Sequence, residues 1–281
     1  MNESIEIGRI NRLRIERHTA PGIYLSAANE EELLLPNQYV TDTMNDGDEI
    51  DVFVYTDSED RPVASTQLPK AMLGEFGFFE VVDTTRFGAF VDWGLPKDLF
   101  VPNSMQKKPF RVGEKRILYV IMDEQTNRLV ATEKSSEYLT KAPRTLPVNS
   151  EVELLLLAKT PLGYKVIVDN AYEGLIFHNE LFEDVRTGDS KKGYIKQVRK
   201  DGKLDISLQP LGNKKDDIAT DKIMSLLSEN NGMLPYNYKS DAEQISSVFG
   251  LSKKVFKRAL TQLQESGKIK IQETGIFSLK G

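Results

Sequence analysis

The residues of this chain that could do chemistry are cations with rings set among them. Lys191, Lys192, Lys196, Arg199, Lys200 and Lys203 fall within thirteen positions, with Tyr194 in their midst. Phe87 and Phe90 flank Gly88 and Ala89 in an apolar stretch. Further on, Lys254, Lys257, Arg258 and Thr261 recur at i, i+3, i+4 and i+7 beside Lys253, which sets them along one stripe of a helix. Rings stack on any base, at roughly 1–3 kcal/mol each, while cations follow phosphates without reading sequence, so the chemistry on offer is single-strand binding. A solvated strand face also collects lysine, and a lone strand phenylalanine more often serves a core. The elements that carry these side chains must decide.

Other chemistries find no residues. The chain has no Cys and two His, His18 and His178, which excludes disulfides, thiolate metal sites and a Cys nucleophile and leaves little for a metal cluster. No Walker loop or paired-His motif occurs, the carboxylates are scattered, and Ser207 and Ser225 lack a base nearby in sequence. The expectation is a non-enzyme without metal or cofactor. No run approaches the ~18–20 apolar residues of a membrane span, and Met1 to Ala20 is charged throughout, so a cytoplasmic protein is expected.

A net charge of −5 is unusual for a nucleic-acid binder until it is resolved along the chain. Lys+Arg against Asp+Glu runs 5 to 14 over residues 1–66, 10 to 10 over 67–140, 11 to 10 over 141–210 and 11 to 8 over 211–281. A phosphate backbone is repelled by the first stretch and attracted by the last. The acidic front is expected to be a structural or protein-contact module.

The positioning elements repeat. Gly22 to Thr66, Gly88 to Thr132 and Gly163 to Ser207 each span 44 positions. Inside each window an apolar tripeptide ends on Pro36, Pro102 or His178, and a Gly-acid pair follows: Gly47-Asp48, Gly113-Glu114, Gly188-Asp189. One supersecondary unit has been used three times. Each window reads as short strands of alternating polarity, as in Ile50-Asp-Val-Phe-Val54. Five short strands in about 60 residues, with no helix long enough to cover a sheet, make a small Greek-key barrel. In the second, alternation points Ala89 and Val91 inward and Phe90 outward.

After Asp217 the period becomes helical. Ile218, Ile223, Leu226 and Leu227 mark one helix; Asp241 caps a second that carries Ile245, Val248 and Phe249 and ends at Gly250; Ser252 opens a third with Phe256, Ala259, Leu260 and Leu263 inside. Two strands, Ile269 to Gln272 and Ile276 to Leu279, follow. This order is a winged helix-turn-helix, its third helix the recognition helix that enters a DNA groove in such folds. Its leading residues offer cations and no Asn or Gln to read base edges, so non-specific phosphate contact is expected.

Phe87-Gly-Ala-Phe-Val91 and Glu173-Gly-Leu-Ile-Phe-His178, each upstream of a Gly-acid pair, resemble the S1 RNA-binding domain, a five-stranded OB-fold barrel. Three such units and a winged helix resemble the conserved virulence factor B family of bacterial RNA-binding regulators. The resemblance implies that RNA crosses strands 2, 3 and 5, stacking on two aromatics and meeting a His after strand 3. Position by position, the second unit offers Phe87, Phe90 and Arg128 but Pro102 in the His place; the third offers His178 and Lys203 but Leu162 and Lys165 in the aromatic places; the first keeps Tyr24 with Pro21, Pro36 and Pro62.

The expected architecture is mainly β: S1-like barrels at 1–66, 67–140 and 141–212, then a winged helix at 213–281. The expected function is single-stranded RNA binding in post-transcriptional control, chiefly by the third barrel (Lys165, His178, Tyr194, Lys196, Arg199, Lys200, Lys203) and the winged helix (Lys253, Lys254, Lys257, Arg258), with Phe87, Phe90 and Arg128 assisting. A DNA-binding transcription regulator with the barrels as partner modules is the alternative.

Overall fold

Alternation in the sequence becomes three closed barrels in the computed structural model, which describes residues 2–181, 183–211 and 213–279, the side chains of 213–217 excepted. The first is built from β1 (Ile10–Thr19), β2 (Gly22–Ser26), β3 (Glu32–Pro36), β4 (Glu49–Thr56) and β5 (Pro62–Ser65), closed in the order β1-β2-β3-β5-β4. The second repeats it with β6 (Phe76–Thr84), β7 (Gly88–Val91), β8 (Leu99–Pro102), β9 (Lys115–Asp123) and β10 (Arg128–Thr132). The third uses β11 (Glu151–Thr160), β12 (Gly163–Val168), β13 (Tyr172–Phe177), β14 (Ser190–Val198) and β15 (Leu204–Ser207). Every second residue points inward: Leu13 and Ile15 on β1, and Leu154 and Leu156 on β11, are buried.

The repeated residues hold the barrels together. A Cβ on Gly22 would stand 2.1 Å from the Leu35 carbonyl oxygen, on Gly88 2.4 Å from that of Val101, and on Gly163 2.0 Å from that of Ile176, so the third strand crosses where only glycine fits. The Gly-acid pair closes each first strand at its bulge. Gly47, Gly113 and Gly188 donate to the carbonyls of Ile15, Val81 and Leu156, whose own N–H groups donate back to Asp48, Glu114 and Asp189. The acid's side chain accepts the N–H three residues earlier, at 3.0 Å in Asn45, 3.1 Å in Arg111 and 2.8 Å in Arg186.

Register corrects two of the expected correspondences. Gly22, Gly88 and Gly163 pair with Pro36, Pro102 and Phe177. His178 therefore corresponds to Asn37 and Asn103, the first residues of the short 3-10 turns that follow, and not to the prolines. At the far end, buried Ser65, Thr132 and Ser207 are equivalent, each hydroxyl accepting the N–H two residues on. The first repeat thus ends one residue before Thr66, and the cation four places earlier is Arg61, matching Arg128 and Lys203, where Pro62 was expected.

The helical domain comprises α1 (Asn213–Glu229), β16 (Met233–Leu234), α2 (Ala242–Phe249), α3 (Lys253–Glu265), β17 (Ile269–Gln272) and β18 (Gly275–Ser278), the strands ordered β16-β18-β17. Asp241 caps α2 by accepting from Glu243 N–H at 2.7 Å, Gly250 ends it with φ +60°, and Ser252 caps α3. β16 had no signal in the sequence, because two residues carry no period. Of the apolar residues that mark the first two helices, Ile218 and Val248 are 46% and 39% exposed, while Ala219 and Leu251 are buried in the core.

The chain divides into two compact units, Met1–Leu139 and Thr140–Gly281. In the first, Phe53, Tyr55 and Val63 of the first barrel belong to the same apolar cluster as Phe79, Val91 and Trp93 of the second. Phe53 and Tyr55 meet Trp93 edge-on, at centroid separations of 5.6 and 6.4 Å. In the second unit Gln209 donates to the Gly250 carbonyl at 2.6 Å, tying the end of the third barrel to α2.

Candidate nucleic-acid interface

On the second barrel, inward Ala89, Val91, Leu99 and Val101 turn Phe90 and Phe100 outward on neighbouring strands. The two are register partners, their rings 5.1 Å apart at 45°. Gly88 leaves the space that the Phe100 ring fills, since a Cβ there would lie 2.7 Å from the ring. Phe87, 65% exposed, stands beside them with the Arg86 guanidinium 4.5 Å over its ring. With Lys97, Pro102 and Arg128 these rings line a cleft of about 390 Å³. This wall of partly exposed ring faces is one that no core requires. Phe100 was missed in the sequence, although the apolar alternation of Leu99 and Val101 marks it as outward; Lys97 carried no signal of its own.

The cleft's cations are not bare. The Arg128 guanidinium donates to the Asp60 carboxylate in the β4–β5 turn of the first barrel. Lys97 donates to the Asp57 carbonyl at 2.7 Å and to Thr56 Oγ1 at 3.4 Å, and its Nζ lies 3.9 Å from Asp60. Burial draws the Lys97 ammonium below the usual lysine range, the Asp60 charge acting against that fall and the Arg128 charge adding to it. Burial likewise raises the Asp98 carboxyl in the same cleft, helped by Asp92 and Asp83.

The third barrel presents a different surface. Lys165 and Lys203 flank Glu173 at 3.5 and 2.8 Å; Lys196 pairs with Glu180 at 2.8 Å and Arg199 with Asp205 at 2.5 Å. Tyr194 donates to Glu151, which also takes Lys192 at 2.7 Å. Burial pushes Glu173 up, but the Lys203 hydrogen bond and the charges of Lys165 and Lys203 outweigh it and hold the carboxyl below the usual range. Of the five proposed cations here only Lys200 has no carboxylate partner among the described residues. His178 is exposed and donates from Nε2 to the Thr160 carbonyl at 3.2 Å, fastening the turn after β13 to the β11–β12 hairpin. Exposed Leu162 replaces the ring that Phe87 supplies.

On the first barrel Tyr24 lies under Arg17, whose guanidinium sits 4.4 Å above its ring and is held by both oxygens of Glu32 at 2.6 and 2.7 Å. Arg61 is taken by Asp57 at 2.7 Å. In the helical domain Lys254, Lys257 and Arg258 are exposed along α3, with Lys253 half-buried at its first turn. Among the described residues no group of His, Cys, Asp or Glu is placed to hold a metal, and no helix is long and apolar enough to cross a membrane.

The S1 domain model matches residues 7–67, the copy in which the motif is weakest, and the CvfB-like winged helix domain model matches 221–277. The uncharacterized protein YitL of Bacillus subtilis is 33% identical, over 98% of this chain and 94% of its own. Conserved virulence factor B of Staphylococcus saprophyticus is 27% identical over 96% and 95%. The chain belongs to the conserved virulence factor B family. A solved multidomain protein with nucleic acid binding domains from Streptococcus pneumoniae, 23% identical, covers 97% of this chain and 98% of its own with a TM-score of 0.42. The domains of this conserved virulence factor B homologue are of nucleic-acid-binding families that are in general non-catalytic.

Proposed function

We propose that the chain binds single-stranded RNA in the cytoplasm and acts in post-transcriptional control. The observation that carries this reading is the outward triad of Phe87, Phe90 and Phe100 on the second barrel, a platform suited to unpaired bases. The ion-paired face of the third barrel lends less support to its leading role than its lysine count does, so base stacking is assigned to the second barrel, with phosphate contact from Lys200 and from α3. A labelled oligoribonucleotide bound to the full chain tests this: unlabelled single strands should displace it and duplex DNA should not. Affinity should fall with salt at a log–log slope of roughly −0.7 per phosphate contacted.

The exposed cations of α3 favour one second reading, a DNA-binding regulator that uses its winged helix. Duplex DNA outcompeting RNA would establish it and overturn the first.

A further inference from the structure

The second barrel's aromatic cleft already holds an anion, and that anion belongs to the first barrel. Arg128, at the start of β10, and Lys97, in the loop between β7 and β8, converge on the carboxylate of Asp60. Two cations beside the rings of Phe87, Phe90 and Phe100 are what a phosphodiester between stacked bases would meet. We propose that Lys97 and Arg128 form a phosphate subsite which Asp60 occupies, so that a single strand enters the second barrel by displacing the β4–β5 turn of the first. The proposal rests on the reading of that barrel as a single-strand site.

The turn is built for this. Asp57 shapes it, its carboxylate accepting from the N–H groups of Glu59 and Arg61 at 2.9 and 3.0 Å and from the Arg61 guanidinium at 2.7 Å. The Asp60 side chain takes no part in that network and faces the two cations instead. The first barrel cannot swing aside as a whole, because Phe53 and Tyr55 are packed against Trp93. Opening is thus a local movement of a few turn residues. Asp60 has φ +63°, a conformation that asparagine adopts readily, so Asp60→Asn removes the charge and keeps the turn.

Full-length Asp60→Asn is compared with Asp42→Asn, which removes an equal charge from an exposed site elsewhere on the same barrel. The probe is a fluorescent oligoadenylate read by anisotropy. Asp60→Asn should tighten binding about two- to tenfold beyond Asp42→Asn, steepen the salt slope by roughly 0.7 to 1.4 as one or two phosphate contacts form, and lose that gain when Arg128→Gln is added. If Phe90→Ser weakens binding while Asp60→Asn binds no tighter than Asp42→Asn, the occupied subsite is overturned and the single-strand reading stands. If Phe90→Ser, folded by thermal melt, binds as the parent does, the reading of the cleft is itself overturned.

Discussion

The Nε2 of His178 donates to the carbonyl of Thr160 at 3.2 Å, the task that the side-chain amides of Asn37 and Asn103 perform on Ala20 and Arg86 at 2.6 and 2.8 Å. Their backbone N–H groups likewise meet Pro21, Phe87 and Leu162. The histidine that marks the S1 motif is here a clasp on a hairpin. Its ring bonds one residue further back than those two amides do.

Replacement of His178 by Asn should therefore change stability by no more than about 0.5 kcal/mol, because the other two barrels use that residue. His178→Ala should cost about 0.5–1 kcal/mol by loss of the bond, toward the lower end at an exposed site. Urea unfolding of the full chain measures both. RNA affinity that drops with His178→Asn at unchanged stability would show that the ring meets the ligand as well as the hairpin.

Phe87 lies largely in water, so Phe87→Ala should leave stability within about 0.5 kcal/mol. If it stacks a base, oligoribonucleotide affinity should fall by roughly 1–3 kcal/mol. Anisotropy titration with a parallel thermal melt separates the two effects, and an unchanged affinity would place the strand elsewhere.

Glu173 pairs with both Lys165 and Lys203, and its carboxyl is kept below the usual range. A depressed carboxyl contributes stability that is present above its unfolded value and lost as pH falls through the folded one. Glu173→Gln should thus flatten the loss of stability below about pH 4.5. At neutral pH it frees two cations and should raise RNA affinity. Acid titration by circular dichroism checks the first effect and anisotropy the second.

Gly163 combines φ +155° with a neighbouring carbonyl that a Cβ would strike. Gly163→Ala should destabilise the third barrel by at least about 1–3 kcal/mol from backbone strain. Urea unfolding monitored on the full chain reads it, and a neutral result would mean that β13 can retreat.

Much of this architecture is legible in the residues because the repeat is a mechanical one. Gly22, Gly88 and Gly163 admit a crossing strand, and the Gly-acid pairs lock the bulge of the first strand, so their spacing survives where functional side chains differ. His178 was set against the prolines one residue too early, although Gly22 to Pro36, Gly88 to Pro102 and Gly163 to Phe177 are equally spaced. Arg61 was missed because the first barrel is one residue shorter between its glycine and Ser65, which shifts a count while hydrogen-bond register absorbs it. The candidate site was legible only in part for another reason. A run of lysines in sequence says nothing about the acids across the barrel, and Glu173, Glu180 and Asp205 meet those cations through folding alone. Asp60 is farther still, 68 positions from Arg128.

The contact of Phe53 and Tyr55 with Trp93 bears on how the front of the chain can be dissected. Cutting after the first repeat would bare the indole and leave the second repeat with an open flank, so a shortened chain reports on a damaged neighbour as much as on the missing part. The two front repeats are one folding unit with two faces, and single side-chain exchanges are the means by which their separate duties can be told apart.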